Sequence, residues 1–349
     1  MRKSKIVFET GECVEGYQIL NPLKEKIERV IFDTRIVGYE KTLSCPEYKD
    51  KIVCLSYPLI GNYGISYQDI ETKDVFPSVL IISELSSIAS NYRSNIPFAD
   101  FILKTKISVI SKIDTQYITK IVRDNCNLWA SIVSFDADVK KVLCEIKEKK
   151  QSFSEEKVPF YVPEKRASVM GLRKHNIAVL NLGLKNTEMF HLASSGYGIK
   201  IINPADGDAK QQILSSNALY ITSGPSHKIL ISQMAAFLTN ILGKLPVFGV
   251  GIGHLILGKA LGGKIANSTV NHYGVNHPVV NLKKKNCIIT EQMHSLILQR
   301  EDLPEDIIET IHMHDGTVEG LFHEEMKAFS VSFIPQEEHF QRFFSLIEE

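Results

Sequence analysis

Hydrophobic and polar positions along the first 150 residues predict short β-strands separated by turns. The apolar runs are rich in Ile, Val and Phe, which favour a pleated and half-buried surface, and they lie at 5–8, 30–32, 52–55 and 79–82. The clearest helical pattern is 114–125, where Ile118, Ile121 and Val122 recur on one face. This part of the chain is predicted to be a β-rich α/β domain.

After about residue 172, predicted strands and helices alternate. The strands lie at 177–182, 199–202, 218–222 and 246–250, and the helices at 187–195, 209–215 and 229–242. This alternation predicts a mostly parallel sheet with crossover helices. Sites in such sheets form at the carboxyl ends of strands, and two of those ends carry glycine turns, at 223–226 and 249–253.

A polar stretch at 147–157, followed by Pro159 and Pro163, separates these two halves. Polar runs punctuated by proline are typical of connectors between domains. We predict one domain at 1–150, a linker at 151–171 and a second domain at 172–349.

The composition narrows the class of protein. Lys and Arg together number 40, as do Asp and Glu, so the formal net charge is zero and no basic stripe predicts a nucleic-acid partner. The six cysteines form no C-x-x-C pair, which favours reduced thiols over disulfides or a zinc site. Acidic residues interrupt the first twelve positions, and no apolar stretch approaches a membrane span. We expect a cytoplasmic protein without a membrane partner.

The most informative segment is the glycine turn after the predicted strand 246–250. The strand runs into Gly249, Gly251 and Gly253 at alternate positions and then into a helical pattern. This is the outline of a nucleophile elbow, a sharp strand-to-helix turn that carries Ser or Cys at its middle position. Because Gly251 occupies that position, we predict that the turn is present and the nucleophile absent.

Landmarks in both halves resemble the small subunit of carbamoyl-phosphate synthase, which carries a class I glutamine amidotransferase domain. They lie at 32–39, 56–64, 88–93, 113–115, 223–225, 248–254, 274–278 and 315–320. The string Ser56-Tyr-Pro-Leu-Ile-Gly-Asn-Tyr-Gly64 is the most specific of them. The resemblance covers nearly the whole chain and implies an α/β fold: an N-terminal β-rich small-subunit domain and a C-terminal amidotransferase-like domain with a central, mostly parallel sheet.

The resemblance also implies a reaction and a partner. In that family an elbow Cys attacks glutamine to form a thioester, a downstream His is the base, and a Glu two residues later orients the His. All three are needed, because a thiol at its ordinary pKa is little ionised at neutral pH. The ammonia passes to a large subunit that makes carbamoyl phosphate from bicarbonate and ATP. ATP and magnesium are therefore expected only on that partner, and no cofactor in this chain.

This sequence departs from the family at all three catalytic positions. The elbow position is Gly251, the position of the base is Ile334, and that of the orienting carboxylate is Gln336. Loss of one triad member already costs several orders of magnitude in rate. We therefore expect no intact catalytic residue.

The positions that would contact glutamine in the family depart as well. They are Glu47, Gly224, Ser226, Ile252, Leu255, Met293, Ser295 and Leu296. Glutamine needs donors and acceptors around its amide, ammonium and carboxylate, and Leu255, Met293 and Leu296 offer none.

The function expected is a glutaminase-inactive small subunit that serves as structural or regulatory partner of an ammonia-using large subunit, in pyrimidine or arginine precursor synthesis. Two alternatives stay open. One is an active subunit whose nucleophile has moved to Cys45 or Cys287. The other is a binding module detached from the synthetase.

The remaining polar residues of note are expected to have structural rather than catalytic roles. His254 is expected to be a structural neighbour of the elbow, and the lysines at 283–285 a solvated turn. His312 and His314 lie on a strand-like run with imidazoles on one face. Since neither Cys nor carboxylate stands at ligand spacing, we expect no metal site.

Overall fold

The computed structural model describes residues 1–22, 25–155 and 167–349. The chain divides into two compact units, Met1–Lys157 with Thr269–Gly274, and Val158–Ser268 with Val275–Glu349. Pro159 and Pro163 of the predicted connector lie outside the described residues. Among the helices of the described ranges, none combines the length and apolar character that crossing a membrane requires.

The first unit is built around a closed barrel of seven strands. The barrel strands are β1 (Arg2–Phe8), β2 (Cys13–Leu20), β3 (Ile27–Asp33), β4 (Lys51–Leu55), β6 (Val79–Ile81), β8 (Ser108–Ser111) and β9 (Trp129–Ser134), and β5 (Leu59–Ile60) and β7 (Glu84–Leu85) form a separate two-stranded sheet. Its helices are α1 (Tyr39–Ser44), α2 (Phe98–Thr105), α3 (Thr115–Asp124) and α4 (Val139–Glu155). The barrel order is β1-β2-β8-β6-β4-β3-β9, and β9 closes on β1. Strands β3, β4, β6 and β8 run parallel.

The predicted strands and the predicted helix of this unit are confirmed. Ile118, Ile121 and Val122 of α3 are buried in one cluster with the barrel strands, and the Asp114 carboxylate caps the helix by accepting a hydrogen bond from the Tyr117 N–H at 2.8 Å. We expected the polar stretch after Lys147 to end the regular secondary structure. Instead, helix α4 continues through it to Glu155.

The second unit contains a nine-stranded sheet. Its strands are β10 (Asn176–Leu180), β11 (Gly198–Ile202), β12 (Ala218–Ile221), β13 (Val247–Val250), β14 (Ile265–Asn281), β15 (Cys287–Leu298), β16 (Ile308–His312), β17 (Val318–His323) and β18 (Ala328–Val331). Its helices are α5 (Asn186–Ser194), α6 (Ala209–Leu214), α7 (Lys228–Thr239), α8 (Ile252–Ala260) and α9 (Glu337–Glu348). The order is β11-β10-β12-β13-β18-β17-β16-β14-β15.

This sheet is parallel from β11 to β18 and antiparallel beyond. Along β10, Ala178 and Leu180 belong to the core on one face, whereas Ile177 and Val179 belong to the core on the other. A strand that is covered on both faces has a continuous apolar sequence. The position of β10 could therefore be predicted from the sequence. The expected α/β class with a largely parallel central sheet is confirmed.

Candidate functional site

The elbow lies between β13 and α8, at the carboxyl end of a central parallel strand. Gly251 has φ 56° and ψ −110°, a conformation that a residue with a Cβ adopts only under strain. Its N–H donates to the Val331 carbonyl at 2.9 Å, which ties the turn to the end of β18. A Cβ placed on Gly251 would lie 3.1 Å from the Cβ of Ser223, closer than ordinary van der Waals contact. Glycine therefore relieves both the backbone strain and the contact.

The second glycine turn lies beside the elbow and is held by a buried carboxylate. A Cβ on Gly224 would lie 2.3 Å from the Leu182 carbonyl oxygen, so only glycine fits there. The Glu188 carboxylate accepts hydrogen bonds from the Tyr220 hydroxyl and the Ser223 hydroxyl, each at 3.1 Å. The sequence reasoning missed Glu188. Its only signal was a Glu placed in the first turn of a predicted helix, where it can cap the backbone.

The positions that would line a glutamine pocket in this unit are largely incorporated into the hydrophobic core. Ile252, Leu255 and Leu296 are 1%, 2% and 4% exposed and belong to the core cluster on one face of the sheet. Met293 and Ser295 are also buried, on β15, whereas Ser226 is half-buried. The apolar side chains of Ile252, Leu255 and Leu296 contribute packing and no hydrogen-bonding group.

Glu47, the remaining position, lies in the first unit. It is buried in a short 3-10 turn, Pro46–Tyr48, that follows α1. Its backbone carbonyl accepts a hydrogen bond from the buried Lys51 ammonium. Its backbone therefore helps to hold this turn against the start of β4.

The positions that the resemblance predicts for the base and its orienting group follow β18. Ile334 is half-buried, and its N–H donates to the Glu291 carbonyl at 3.0 Å. Gln336 is exposed and is the residue from which α9 begins. Its side-chain amide donates to the Ile289 carbonyl at 3.4 Å. The loop is thus anchored to β15, and neither side chain can exchange a proton at neutral pH.

His254, three residues after Gly251, has both ring nitrogens engaged. Nε2 lies 3.2 Å from the Val318 carbonyl, so it must carry the hydrogen, and Nδ1 accepts from the Ser330 hydroxyl at 2.9 Å. Burial lowers the pKa of His254 to about 4, although the Glu319 carboxylate opposes this. The imidazole is therefore neutral at neutral pH and joins α8 to β17 and β18.

A buried polar cluster that the sequence did not indicate is centred on Glu319 of β17. The Glu319 carboxylate accepts a hydrogen bond from the Ser332 hydroxyl, and His294 Nε2 lies 3.4 Å from the same oxygen. A catalytic triad places the imidazole between hydroxyl and carboxylate. Here the carboxylate lies between the other two groups, so the cluster does not have the order that activates a serine.

The alternative nucleophiles occupy contrasting environments. Cys45 is fully buried within the first unit, and Cys287 is exposed at the first residue of β15. Burial shields the first thiol from a substrate, whereas the second is accessible.

The expected strand through His312 and His314 is wrong in part, because β16 ends at His312 and His314 lies in the following turn. His312 Nε2 instead lies 3.3 Å from Nδ1 of His277 on β14, and its Nδ1 lies 3.2 Å from an Asp315 oxygen. The lysines at 283–285 lie in the turn between β14 and β15, as expected.

The second unit combines a strand-to-helix elbow with a largely parallel central sheet, an arrangement compatible with a glutamine amidotransferase fold. The family model described as glutamine amidotransferase class-I matches residues 179–339. The model described as carbamoyl-phosphate synthase small chain, CPSase domain, matches residues 6–132. The chain belongs to the carbamoyl phosphate synthase small chain family.

Curated relatives match almost the full chain. The carbamoyl phosphate synthase small chain of Clostridium perfringens is 30% identical over 337 residues, covering 96% of this chain and 94% of the relative. That of Bacillus cereus is 31% identical over 339 residues, covering 96% and 91%. Among solved structures, a glutamine amidotransferase from Thermotoga maritima covers 46% of this chain and 76% of its own, with 11% identity and a TM-score of 0.34.

Proposed function

We propose that this chain is a small subunit without glutaminase activity, acting as the structural or regulatory partner of a large synthetase subunit that uses free ammonia. The observation that carries the proposal is the elbow itself. Its strand, turn and helix are retained, but Gly251 provides no nucleophile. Glutamine hydrolysis in this family requires that nucleophile, and Ile334 and Gln336 supply neither base nor carboxylate.

The packing around the elbow supports the same conclusion. Leu255 and Leu296 fill positions that a polar substrate would need, and both are core residues. Placing an amide or an ammonium against them without a partner would cost about 2–7 kcal/mol. Restoring the nucleophile alone would therefore leave glutamine without a binding site.

The first unit carries exposed apolar side chains suited to a partner. This apolar docking patch consists of Ile36, Val37, Ile88 and Tyr92, which are 61%, 68%, 70% and 96% exposed. Hydrogen bonds join the loops that carry it: the Gly38 N–H donates to the Tyr63 hydroxyl at 2.6 Å, and the Ser90 N–H to the Asn62 carbonyl at 2.9 Å. Clustered exposed apolar side chains mark interaction surfaces, and we assign this one to the large subunit.

A nitrogen-source comparison on the reconstituted complex tests the activity. The chain is combined with its cognate large subunit, and carbamoyl phosphate formation is measured with ammonia or glutamine as the only nitrogen source. We expect formation from ammonia alone. The carbamoyl phosphate synthase small chain of Clostridium perfringens, assayed with its own large subunit, is the comparison. Comparable rates on both nitrogen sources would refute the proposal.

Co-purification with the large subunit tests the partnership and separates it from a detached binding module. Tyr92→Ser in the docking patch should weaken complex formation, whereas Leu172→Ser, which changes an equally exposed apolar side chain in the second unit, should not. Equal binding of the large subunit by the two variants would contradict the assignment of the docking patch.

The relocated nucleophile is tested by thiol labelling with a glutamine-mimic electrophile. We expect no stoichiometric adduct at Cys45, which is fully buried, or at Cys287 beyond the reaction of any exposed thiol. A glutamine-protected adduct at either residue would favour an active subunit.

A further inference from the structure

A cavity of about 620 Å³ opens at one rim of the barrel in the first unit. It lies where β1 begins and where β2 and β8 end, and β7 forms the remaining wall. Cavities of roughly 300–1,000 Å³ hold small organic ligands. The cavity shares no residue with the elbow or with the docking patch, so neither proposed role explains it.

Three charged side chains line this rim cavity. Arg2 and Lys112 are cationic and Glu84 is anionic, and all three are exposed. Within the described ranges, none of the three makes a side-chain hydrogen bond or an ion pair with another residue. A guanidinium and an ammonium bind a carboxylate well, and a carboxylate binds an ammonium. The cavity thus presents both signs of charge to a ligand.

The other walls of the rim cavity are largely apolar, together with the polar Gln18 and Ser111. Ile19, Leu20 and Leu85 are half-buried and line it. The Lys112 N–H donates to the Ser83 carbonyl at 2.7 Å, which fixes the end of β8 beside the segment that leads into β7. An apolar body that carries both charges at one end would be accommodated here.

The backbone at this rim is strained at two of the lining residues. Leu20 has φ 61° and Lys112 has φ 55°, in the left-handed region that side chains other than Gly, Asn and Asp rarely adopt. Strain of this kind clusters at ligand sites, where the surrounding structure maintains it.

We propose that the rim cavity binds an amino-acid zwitterion with an apolar side chain. Its carboxylate would lie against Arg2 and Lys112, its ammonium against Glu84, and its side chain against Leu20 and Leu85. Because the charged groups are exposed to solvent, the affinity should lie in the millimolar range.

Isothermal titration of the full chain with three probes tests the ligand class. The probes are L-leucine, 4-methylpentanoate, which lacks the ammonium, and 3-methylbutylamine, which lacks the carboxylate. We expect saturable binding of L-leucine and about twofold to fivefold weaker binding of the other two, since each loses a contact between exposed charges. No saturable binding of L-leucine, or equal binding of 4-methylpentanoate, would overturn the proposal.

Variants locate the site. Lys112→Gln and Glu84→Gln should each weaken L-leucine binding about twofold to fivefold. Lys106→Gln is the matched control, because Lys106 is also an exposed lysine with a left-handed backbone, φ 59°, but does not line the cavity. Equal losses in Lys112→Gln and Lys106→Gln would show that binding occurs elsewhere.

Discussion

Replacing Gly251 by Cys should destabilise the protein without creating a glutaminase. At φ 56° and ψ −110° a residue with a Cβ is strained by about 1–3 kcal/mol. The new Cβ would also lie 3.1 Å from the Cβ of Ser223, so one of the two must shift. We expect the free energy of unfolding to fall by about 2 kcal/mol, which corresponds to about 4–8 °C in Tm for a unit of this size.

Thermal and urea unfolding of Gly251→Cys and Gly251→Ala measure this cost, and both should lose a similar amount. Gly243→Ala is the matched control, because Gly243 has φ 76° and open space where its Cβ would lie. It isolates the cost of a positive φ and should lose only about 1–2 kcal/mol. If Gly251→Cys is as stable as the unmodified protein, the strain argument is wrong.

The absence of glutaminase activity is tested by measuring glutamate release. Gly251→Cys should release none from glutamine, because Ile334 cannot activate the thiol and Leu255 offers no hydrogen bond to the substrate. Measurable glutamate release by this single variant would show that the base and the pocket are dispensable, which would refute the prediction.

Three further predictions concern stability. Asp33→Ala should cost about 3–5 kcal/mol by urea unfolding, because the buried Asp33 carboxylate accepts from Arg35 Nε at 2.7 Å and from Thr42 Oγ1 at 2.9 Å, and its loss removes the carboxylate that balances the charge of the buried Arg35 guanidinium; a loss under 1 kcal/mol would contradict this. Burial lowers the pKa of His254 to about 4, so the neutral imidazole contributes about 3 kcal/mol of stability that is present above pH 6.5 and lost as pH falls through 4. If the free energy of unfolding of His254→Asn depends on pH as steeply as that of the unmodified protein, His254 is not the source. Burial, assisted by Asp50, raises the pKa of Glu28 to about 7, so its contribution to stability is present below pH 4.5 and lost as pH rises through 7. Glu28→Gln should therefore raise the Tm relative to the unmodified protein more at pH 8 than at pH 5, and a pH-independent difference would oppose this assignment.

Many secondary-structure elements could be predicted because their signals are local. The run at 177–182 and the face formed by Ile118, Ile121 and Val122 need only neighbouring residues to be recognised. Closure of the barrel by pairing β1 with β9 could not be predicted, because it joins segments more than 120 residues apart in sequence. The continuation of α4 past Lys147 was missed because a helix with one solvated face tolerates a polar stretch.

The expectation that Gly251, Ile334 and Gln336 cannot support glutamine hydrolysis follows from residue type, given the resemblance that placed them. The contacts of Glu188 with Tyr220 and of Glu319 with Ser332 could not be anticipated, since each joins groups from separate elements.

The sequence by itself determined the alternation of strands and helices and the glycine at the elbow, because periodicity and side-chain chemistry are properties of the chain. Only the tertiary structure decided that Leu255 and Leu296 belong to the core and that both nitrogens of His254 are engaged. Burial and hydrogen bonding depend on which distant residues the fold brings together, and no local pattern contains that information.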